Sequence, residues 1–214
     1  MNLTLAMVIA TGAFWSTAAA QPVTIAAMGD SLTHGYGVPL AEGFVPTLAA
    51  WLDENGQEVD MVNAGVSGDT TSGGLSRVDW TLTPEVDGMI VALGGNDLLR
   101  GIDPAVSREN LDGILAAAEA AEVPVLLVGI SAPPNYGAEY QADFEAMYVD
   151  LAEKYGTLYE ESFLGALERI EDRTRAMRDY MQADGIHPNA AGVDLIVEAL
   201  GPRVVDLADR ARVE

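Results

Sequence analysis

Three polar residues, one near the start of the chain and two near its end, have the types and spacing of a nucleophilic site. Ser31 follows a short apolar run and Gly29-Asp30, where its hydroxyl can point out of a sheet at the start of a helix. Asp184 precedes His187 by three residues and could orient an imidazole that takes the proton of the serine. The structural alternatives stay open, because Asp and Ser are ordinary turn and N-cap residues and Asp184 could cap the following helix.

The chain has two histidines, His34 and His187, so imidazole chemistry has only two candidates. His34 lies three residues after Ser31, but no carboxylate is spaced to orient it, and we expect it on a loop surface. Cysteine is absent, which excludes thiolate nucleophiles, disulfides and cysteine zinc sites. We expect neither a metal nor an organic cofactor.

Two polar loops could supply hydrogen-bond donors for an oxyanion. One runs from Val66 to Thr70, and the other is Gly94-Gly95-Asn96-Asp97. The neutral amide of Asn96 can donate without titrating. Each loop alone is also an ordinary turn sequence.

Three charged side chains near these loops have structural interpretations. We expect Asp30 and Asp69 to cap loops. Arg100 could attract an anionic leaving group, or it could pair with Asp97 or Asp103.

Alternating strand and helix patterns would hold these loops in place. Buried strands are predicted at 23–28, 59–63, 86–93, 123–130 and 157–159, and helices at 44–55, 74–82, 107–121, 139–155 and 189–208. Strands alternating with helices predict an α/β fold with a five-stranded parallel sheet, doubly wound and flavodoxin-like, in a three-layer sandwich. Ligands bind beyond the carboxyl ends of such strands, where the serine and both polar loops fall.

Composition narrows the function classes. The 214 residues suit one domain, predicted over 21–214, and 49% of them are apolar, which suffices for a large core. The formal net charge of −22 repels phosphate backbones, so we expect no nucleic-acid partner.

The N-terminus has the composition of an export signal. Residues 1–29 carry no charge, 3–15 are mostly apolar, and 16–20 are small, which predicts a signal peptide over 1–20 cleaved after Ala20. The mature protein would then be periplasmic or secreted. An uncleaved anchor or a buried helix are the alternatives, although the apolar run is too short for a stable membrane span.

Taken together, Gly29-Asp30-Ser31-Leu32, the Gly68 loop, Gly95-Asn96-Asp97 and Asp184-x-x-His187 resemble the ordered blocks of the GDSL, or SGNH, hydrolase family. The resemblance runs from residue 23 to about residue 200. It is greatest to the bacterial periplasmic acyl-CoA thioesterase I, lysophospholipase and arylesterase group, through three longer stretches at 62–70, 93–101 and 134–137.

The resemblance implies roles for individual residues. Ser31, His187 and Asp184 would form a catalytic triad, and the oxyanion hole would consist of the Ser31 and Gly68 amides and the Asn96 side chain. Leu98 departs from the pattern, because glycine is expected there, and it should narrow the acyl end of the site. Apolar side chains that could line that site are Leu32, Leu98, Leu99, Pro133, Pro134, Tyr136 and Ile186.

The implied activity is that of a serine esterase acting through an acyl-enzyme. Its substrates would be small-molecule or lipid esters, such as aryl esters and lysophospholipids, and thioesters would be further candidates. The favoured oligomeric state of the protein is a monomer. Acyl-CoA is disfavoured as a substrate, because export removes the enzyme from cytosolic CoA and because the net charge of −22 repels a polyanion. The alternatives are a carbohydrate O-acetyl esterase and a non-catalytic doubly wound binding domain.

Overall fold

Five apolar segments form a single parallel sheet in the computed structural model, which describes residues 22–213. The predicted signal segment lies outside the described residues. The strand order is β2-β1-β3-β4-β5 with every neighbouring pair parallel, so the predicted doubly wound, flavodoxin-like sheet is confirmed. The strands are β1 (Val23–Gly29), β2 (Val59–Gly65), β3 (Gly88–Ala92), β4 (Val125–Val128) and β5 (Leu158–Glu160).

Helices cover both faces of this sheet, because the strands at its centre are apolar on both sides. Every residue of β3 and β4 is buried, whereas β2 lies at an edge and alternates in exposure at its start. The helices are α1 (Ser31–His34), α2 (Phe44–Glu54), α3 (Thr71–Thr81), α4 (Gly95–Leu99), α5 (Pro104–Ala120), α6 (Ala138–Tyr155), α7 (Gly165–Glu168), α8 (Arg173–Tyr180) and α9 (Ala190–Ala211).

Six helices pack against one another or against α9 in two groups. Helices α3, α5 and α6 pack in sequence, while α2, α7 and α8 each pack against α9. This arrangement gives the three predicted layers. Between residues 22 and 213, no helix has the length and hydropathy needed to cross a membrane.

Helix α5 begins earlier than its sequence pattern suggested. Ser107, which begins the predicted helix and has a side chain suited to an N-cap, is not its N-cap; instead, the Asp103 carboxylate accepts the amide N–H of Ala105 at 2.9 Å, and Pro104 occupies the first turn. Proline suits that position because its missing N–H would have no helical partner. Ser107 is buried inside the helix and donates to Asp97 at 3.0 Å.

Candidate active site

Ser31 lies at the junction between β1 and α1. The strand ends at Gly29, and the Asp30 carboxylate caps the short helix by accepting the Leu32 amide N–H at 3.0 Å. A side chain at position 29 would collide with Thr33, so glycine permits this tight turn. Ser31 is therefore the first residue of α1, at the carboxyl edge of the sheet.

Ser31, His187 and Asp184 form a continuous hydrogen-bonded row. Nε2 of His187 lies 2.9 Å from Oγ of Ser31, and Nδ1 lies 2.6 Å from Oδ2 of Asp184. The proton belongs on Nδ1, because an ionised carboxylate can only accept. Nε2 is then free to accept the proton of the serine hydroxyl.

Asp184 is held in its ionised form by three donors. Beside His187 Nδ1, its other oxygen accepts the amide N–H groups of Ile186 at 2.9 Å and His187 at 3.1 Å. Led by the His187 hydrogen bond, these contacts lower the pKa of Asp184 from 3.8 to about 2. Gly185, with φ of +69°, makes the turn between the carboxylate and the imidazole.

Two residues that the sequence did not suggest support the His187 loop. The side-chain amide of Gln182 donates to the backbone carbonyls of Tyr36 at 2.8 Å and Pro188 at 2.9 Å. The backbone N–H of Gln182 donates to the His187 carbonyl at 2.8 Å. The Tyr36 ring packs at 4.7 Å from the imidazole. Gln182 thus ties the loop that carries His187 to the loop that follows α1.

His34 does not join this row. Its Nδ1 lies 3.2 Å from the carbonyl oxygen of Gly65, and the side chain is exposed. Among residues 22–213, no carboxylate forms a hydrogen bond with its ring, in agreement with its spacing in the sequence.

The residues expected to hold an oxyanion lie at the start of α1, in the loop after β2 and at the start of α4. Gly68 has φ of +83°, and its carbonyl accepts a hydrogen bond from Arg100 at 2.8 Å. Asn96 is in the first turn of α4, where its Nδ2 donates to Asp30 at 3.2 Å. In the described part of the chain, the amide N–H groups of Ser31 and Gly68 donate to no other protein group, so both are available to a ligand.

Among residues 22–213, Arg100 forms an ion pair with neither Asp97 nor Asp103, so the structural pairing expected for it is wrong. Asp97 is completely buried and accepts three hydrogen bonds, from the Thr71 amide at 2.9 Å, the Thr71 hydroxyl at 2.5 Å and Ser107. The two contacts with Thr71 fasten α4 to the start of α3, which follows the Gly68 loop, and the contact with Ser107 fastens α4 to α5. Asp97 thus links the Gly68 loop to the segment that carries Asn96 through buried hydrogen bonds.

Asp69 acts as more than a loop cap. One of its oxygens accepts the Thr70 amide at 3.2 Å, and the other pairs with Arg77 at 2.8 Å. Arg77 also donates to the carbonyls of Ala64 at 2.8 Å and Gly29 at 3.1 Å. The ends of β1 and β2 and the Gly68 loop are therefore joined by one guanidinium.

A cavity of about 330 Å³ opens beside Ser31 and Asn96. Its surface is mostly apolar, and Leu32, Leu98, Leu99 and Ile186 contribute to it as expected. Apolar side chains of α7, α8 and the adjoining strand ends, which the sequence did not single out, complete it: Ile130, Leu164, Leu167, Ala176, Met177 and Met181.

Two of the expected lining residues lie elsewhere. Pro134 and Tyr136 form a short 3-10 turn, and the Tyr136 ring stacks on Tyr140 with centroids 5.1 Å apart. Neither contributes to the cavity beside Ser31, whereas Pro133 does. A larger depression of about 650 Å³ at the start of β4 contains none of the predicted site residues.

The known proteins that this chain is similar to are named as hydrolases of esters and thioesters. The chain is 37% identical over 191 residues to the esterase TesA of Pseudomonas aeruginosa, covering 89% of this chain and 90% of that protein. It is 33% identical over 196 residues to thioesterase 1/protease 1/lysophospholipase L1 of Escherichia coli K12, covering 89% and 88%. The crystal structure of AlinE4, an SGNH-hydrolase family esterase, superposes with a TM-score of 0.70 at 42% identity, covering 86% and 96%.

The family assignment rests on a match along most of the described chain. The family model of the GDSL-like lipase/acylhydrolase family matches residues 27–195, a range that includes Ser31, Asn96 and His187. The resemblance carried by the four sequence motifs is thereby confirmed. The chain is an enzyme of the GDSL-like lipase/acylhydrolase family.

Proposed function

We propose that this enzyme is a serine esterase in which Ser31 is the nucleophile, His187 the general base and Asp184 the residue that orients the base. The observation that carries the proposal is the row from Ser31 through His187 to Asp184, with contacts of 2.9 Å and 2.6 Å, beside an apolar cavity. The names of the relatives, an esterase and a thioesterase/lysophospholipase, support the same class of reaction.

The reaction proceeds in two acyl-transfer steps. His187 takes the proton of Ser31 as Oγ attacks the ester carbonyl, and Asp184 stabilises the imidazolium that results. The imidazolium then protonates the leaving alkoxide, which departs and leaves an ester on Ser31. Water, deprotonated by the same imidazole, hydrolyses this acyl-enzyme and regenerates the serine hydroxyl.

Three donors receive the negative charge that develops on the carbonyl oxygen. They are the free amide N–H groups of Ser31 and Gly68 and the side-chain amide of Asn96. Donors fixed by the protein need no reorganisation during the reaction, and the loss of one typically costs about 10²–10³-fold in rate.

The lining of the cavity favours an aliphatic or aromatic acyl group over a polar one. Each methylene that it removes from water contributes up to about 0.8 kcal/mol. The two additional methylenes of a butyrate relative to an acetate would then raise kcat/KM by up to about 15-fold. Lysophospholipids and the aryl esters of aliphatic acids carry such acyl groups, and thioesters with such acyl groups are secondary substrates.

Hydrolysis of p-nitrophenyl acetate, butyrate, octanoate and palmitate by the purified protein tests this assignment, with Ser31→Ala as the matched inactive control. We expect turnover to rise from acetate to butyrate and to disappear in Ser31→Ala. Turnover of acetate alone would favour the carbohydrate O-acetyl esterase, and unchanged turnover in folded Ser31→Ala would refute the proposed nucleophile.

We also propose that the enzyme is exported, as one domain over 21–214. The uncharged first 20 residues, with small side chains before Gln21, support a signal peptide. The charge of −22 then faces an extracytoplasmic medium and repels polyanionic substrates such as acyl-CoA.

A further inference from the structure

The side-chain amide of Asn96 must present nitrogen, and not oxygen, to an oxyanion. The two ends of an asparagine amide have nearly the same shape, so packing alone hardly distinguishes them. Only a neighbouring group that accepts and cannot donate will fix the amide in one orientation. Asp30 is the neighbour that meets this condition.

The Asp30 carboxylate has two oxygens with separate partners. Oδ1 accepts the Leu32 amide N–H at 3.0 Å and so caps α1, while Oδ2 accepts Nδ2 of Asn96 at 3.2 Å. An ionised carboxylate has no proton to donate, so it pairs with Nδ2 and excludes the flipped amide. Asn96 keeps a second N–H on the same nitrogen, which remains for another acceptor.

The position of Asp30 is fixed by burial. Only 2% of the residue is exposed, and Gly95 passes so close that a Cβ there would lie 3.0 Å from Oδ2. The Asp30 side chain therefore has little room to rearrange, and little water reaches its carboxylate to replace a lost partner. A buried polar group without a partner costs about 1–3 kcal/mol, which disfavours alternatives that break the contact.

From this geometry we infer that Asp30 is a positioning residue: its carboxylate orients the Asn96 amide so that Nδ2 donates to the oxyanion. This inference rests on the proposed function and assigns Asp30 a task beyond capping α1. The residue touches no reacting atom and acts only through Asn96.

Two substitutions separate the two tasks of Asp30. In Asp30→Asn, the Oδ1 of the new side chain can keep the cap, but its amide then faces Asn96 Nδ2 with a donor and favours the flipped orientation. In Asp30→Ser, the hydroxyl can also cap α1 but is too short to reach Asn96, which is left unanchored rather than reversed. Asp103→Asn is the matched control, because Asp103 also caps a helix by accepting the amide two residues later, and it does not line the cavity beside Ser31.

The test measures kcat and KM for p-nitrophenyl butyrate, with circular dichroism to verify folding. We expect Asp30→Asn to lower kcat about 100-fold with little change in KM, Asp30→Ser to lower it less, and Asp103→Asn to leave it unchanged. Asp30→Ser retains the cap and keeps the test available if Asp30→Asn does not fold.

The double variant Asp30→Asn/Asn96→Ala provides the readout that a purely structural role would not move. If Asp30 acts through Asn96, the double variant should be no slower than Asn96→Ala alone. If the double variant instead loses kcat by the product of the losses of Asp30→Asn and Asn96→Ala, the inference is overturned. A wild-type kcat in folded Asp30→Asn would overturn it as well. Ser31→Ala measured in parallel distinguishes the two levels: activity in that variant refutes the proposed function itself, whereas an inactive Ser31→Ala beside an active Asp30→Asn refutes only the role of Asp30.

Discussion

Replacing Asp184 by asparagine would reverse the hydrogen bond that sets the tautomer of His187. One oxygen of Asp184 accepts the Ile186 and His187 amides, and the other accepts Nδ1 of the ring at 2.6 Å. Asparagine can keep both backbone contacts through Oδ1, which preserves the turn. Its amide nitrogen then faces Nδ1 and, as a donor, stabilises the tautomer with the proton on Nε2.

That tautomer cannot accept the proton of Ser31, and a neutral amide cannot balance the imidazolium. The same change in the serine-protease triad lowers kcat about 10⁴-fold. A loss of that size corresponds to about 5.4 kcal/mol of transition-state stabilisation. KM should change little, because Asp184 does not line the cavity beside Ser31.

The assay is steady-state hydrolysis of p-nitrophenyl butyrate by Asp184→Asn, with Asp103→Asn as a control for a carboxylate that caps a helix outside the site. Far-UV circular dichroism verifies that both variants fold. A kcat for Asp184→Asn within tenfold of the wild type would refute the proposed role of the carboxylate.

Three further predictions concern the histidines, acid stability and processing. In a stopped-flow assay of ester hydrolysis, His187→Ala should lose several orders of magnitude in kcat, whereas His34→Ala should retain nearly all of it. The reverse result would move the site to the segment after β1 that carries His34. Because the pKa of Asp184 is lowered from 3.8 to about 2, its ionised form contributes stability that is present above pH 3.8 and lost toward pH 2. The urea midpoints of wild type and Asp184→Asn should therefore converge as the pH falls through this interval, and a constant difference would contradict the assignment. N-terminal sequencing of the exported protein should begin near Gln21, and a mature chain that begins at Met1 would contradict cleavage.

The parallel sheet and the meeting of Ser31 with the segments that carry Gly68 and Asn96 could be predicted from the sequence for a physical reason. Buried parallel strands are continuous apolar runs, and their carboxyl ends share one edge of the sheet. Residues that follow such runs are thus near one another however far apart they lie in the chain. The three-residue spacing of Asp184 and His187 is local, so a single turn is enough to bring them together.

The cavity wall was less predictable. Helices α7 and α8 contain four and eight residues, too few for an apolar periodicity to stand out, yet they supply Leu167, Ala176 and Met177 to the lining. Pro134 and Tyr136 were expected there as apolar side chains, but they form a short 3-10 turn in which Tyr136 stacks on Tyr140 instead.

The buried hydrogen bonds of Asp97 could not be predicted from the sequence either. Asp97 binds Thr71, 26 positions away, and Ser107, the residue at which the sequence predicted the start of a helix. A hydrogen bond between distant segments leaves no local pattern, because either partner alone has the composition of a turn or a cap.

Covalent trapping of the nucleophile tests the central claim most directly. The purified protein would be treated with diethyl p-nitrophenyl phosphate, whose phosphorus accepts an activated serine oxygen and releases p-nitrophenolate, and then digested for peptide mass spectrometry. We expect one diethylphosphoryl group per chain, on Ser31, with complete loss of esterase activity and no labelling of Ser31→Ala. Labelling at another residue in step with inactivation, or full activity of a chain phosphorylated on Ser31, would contradict the account.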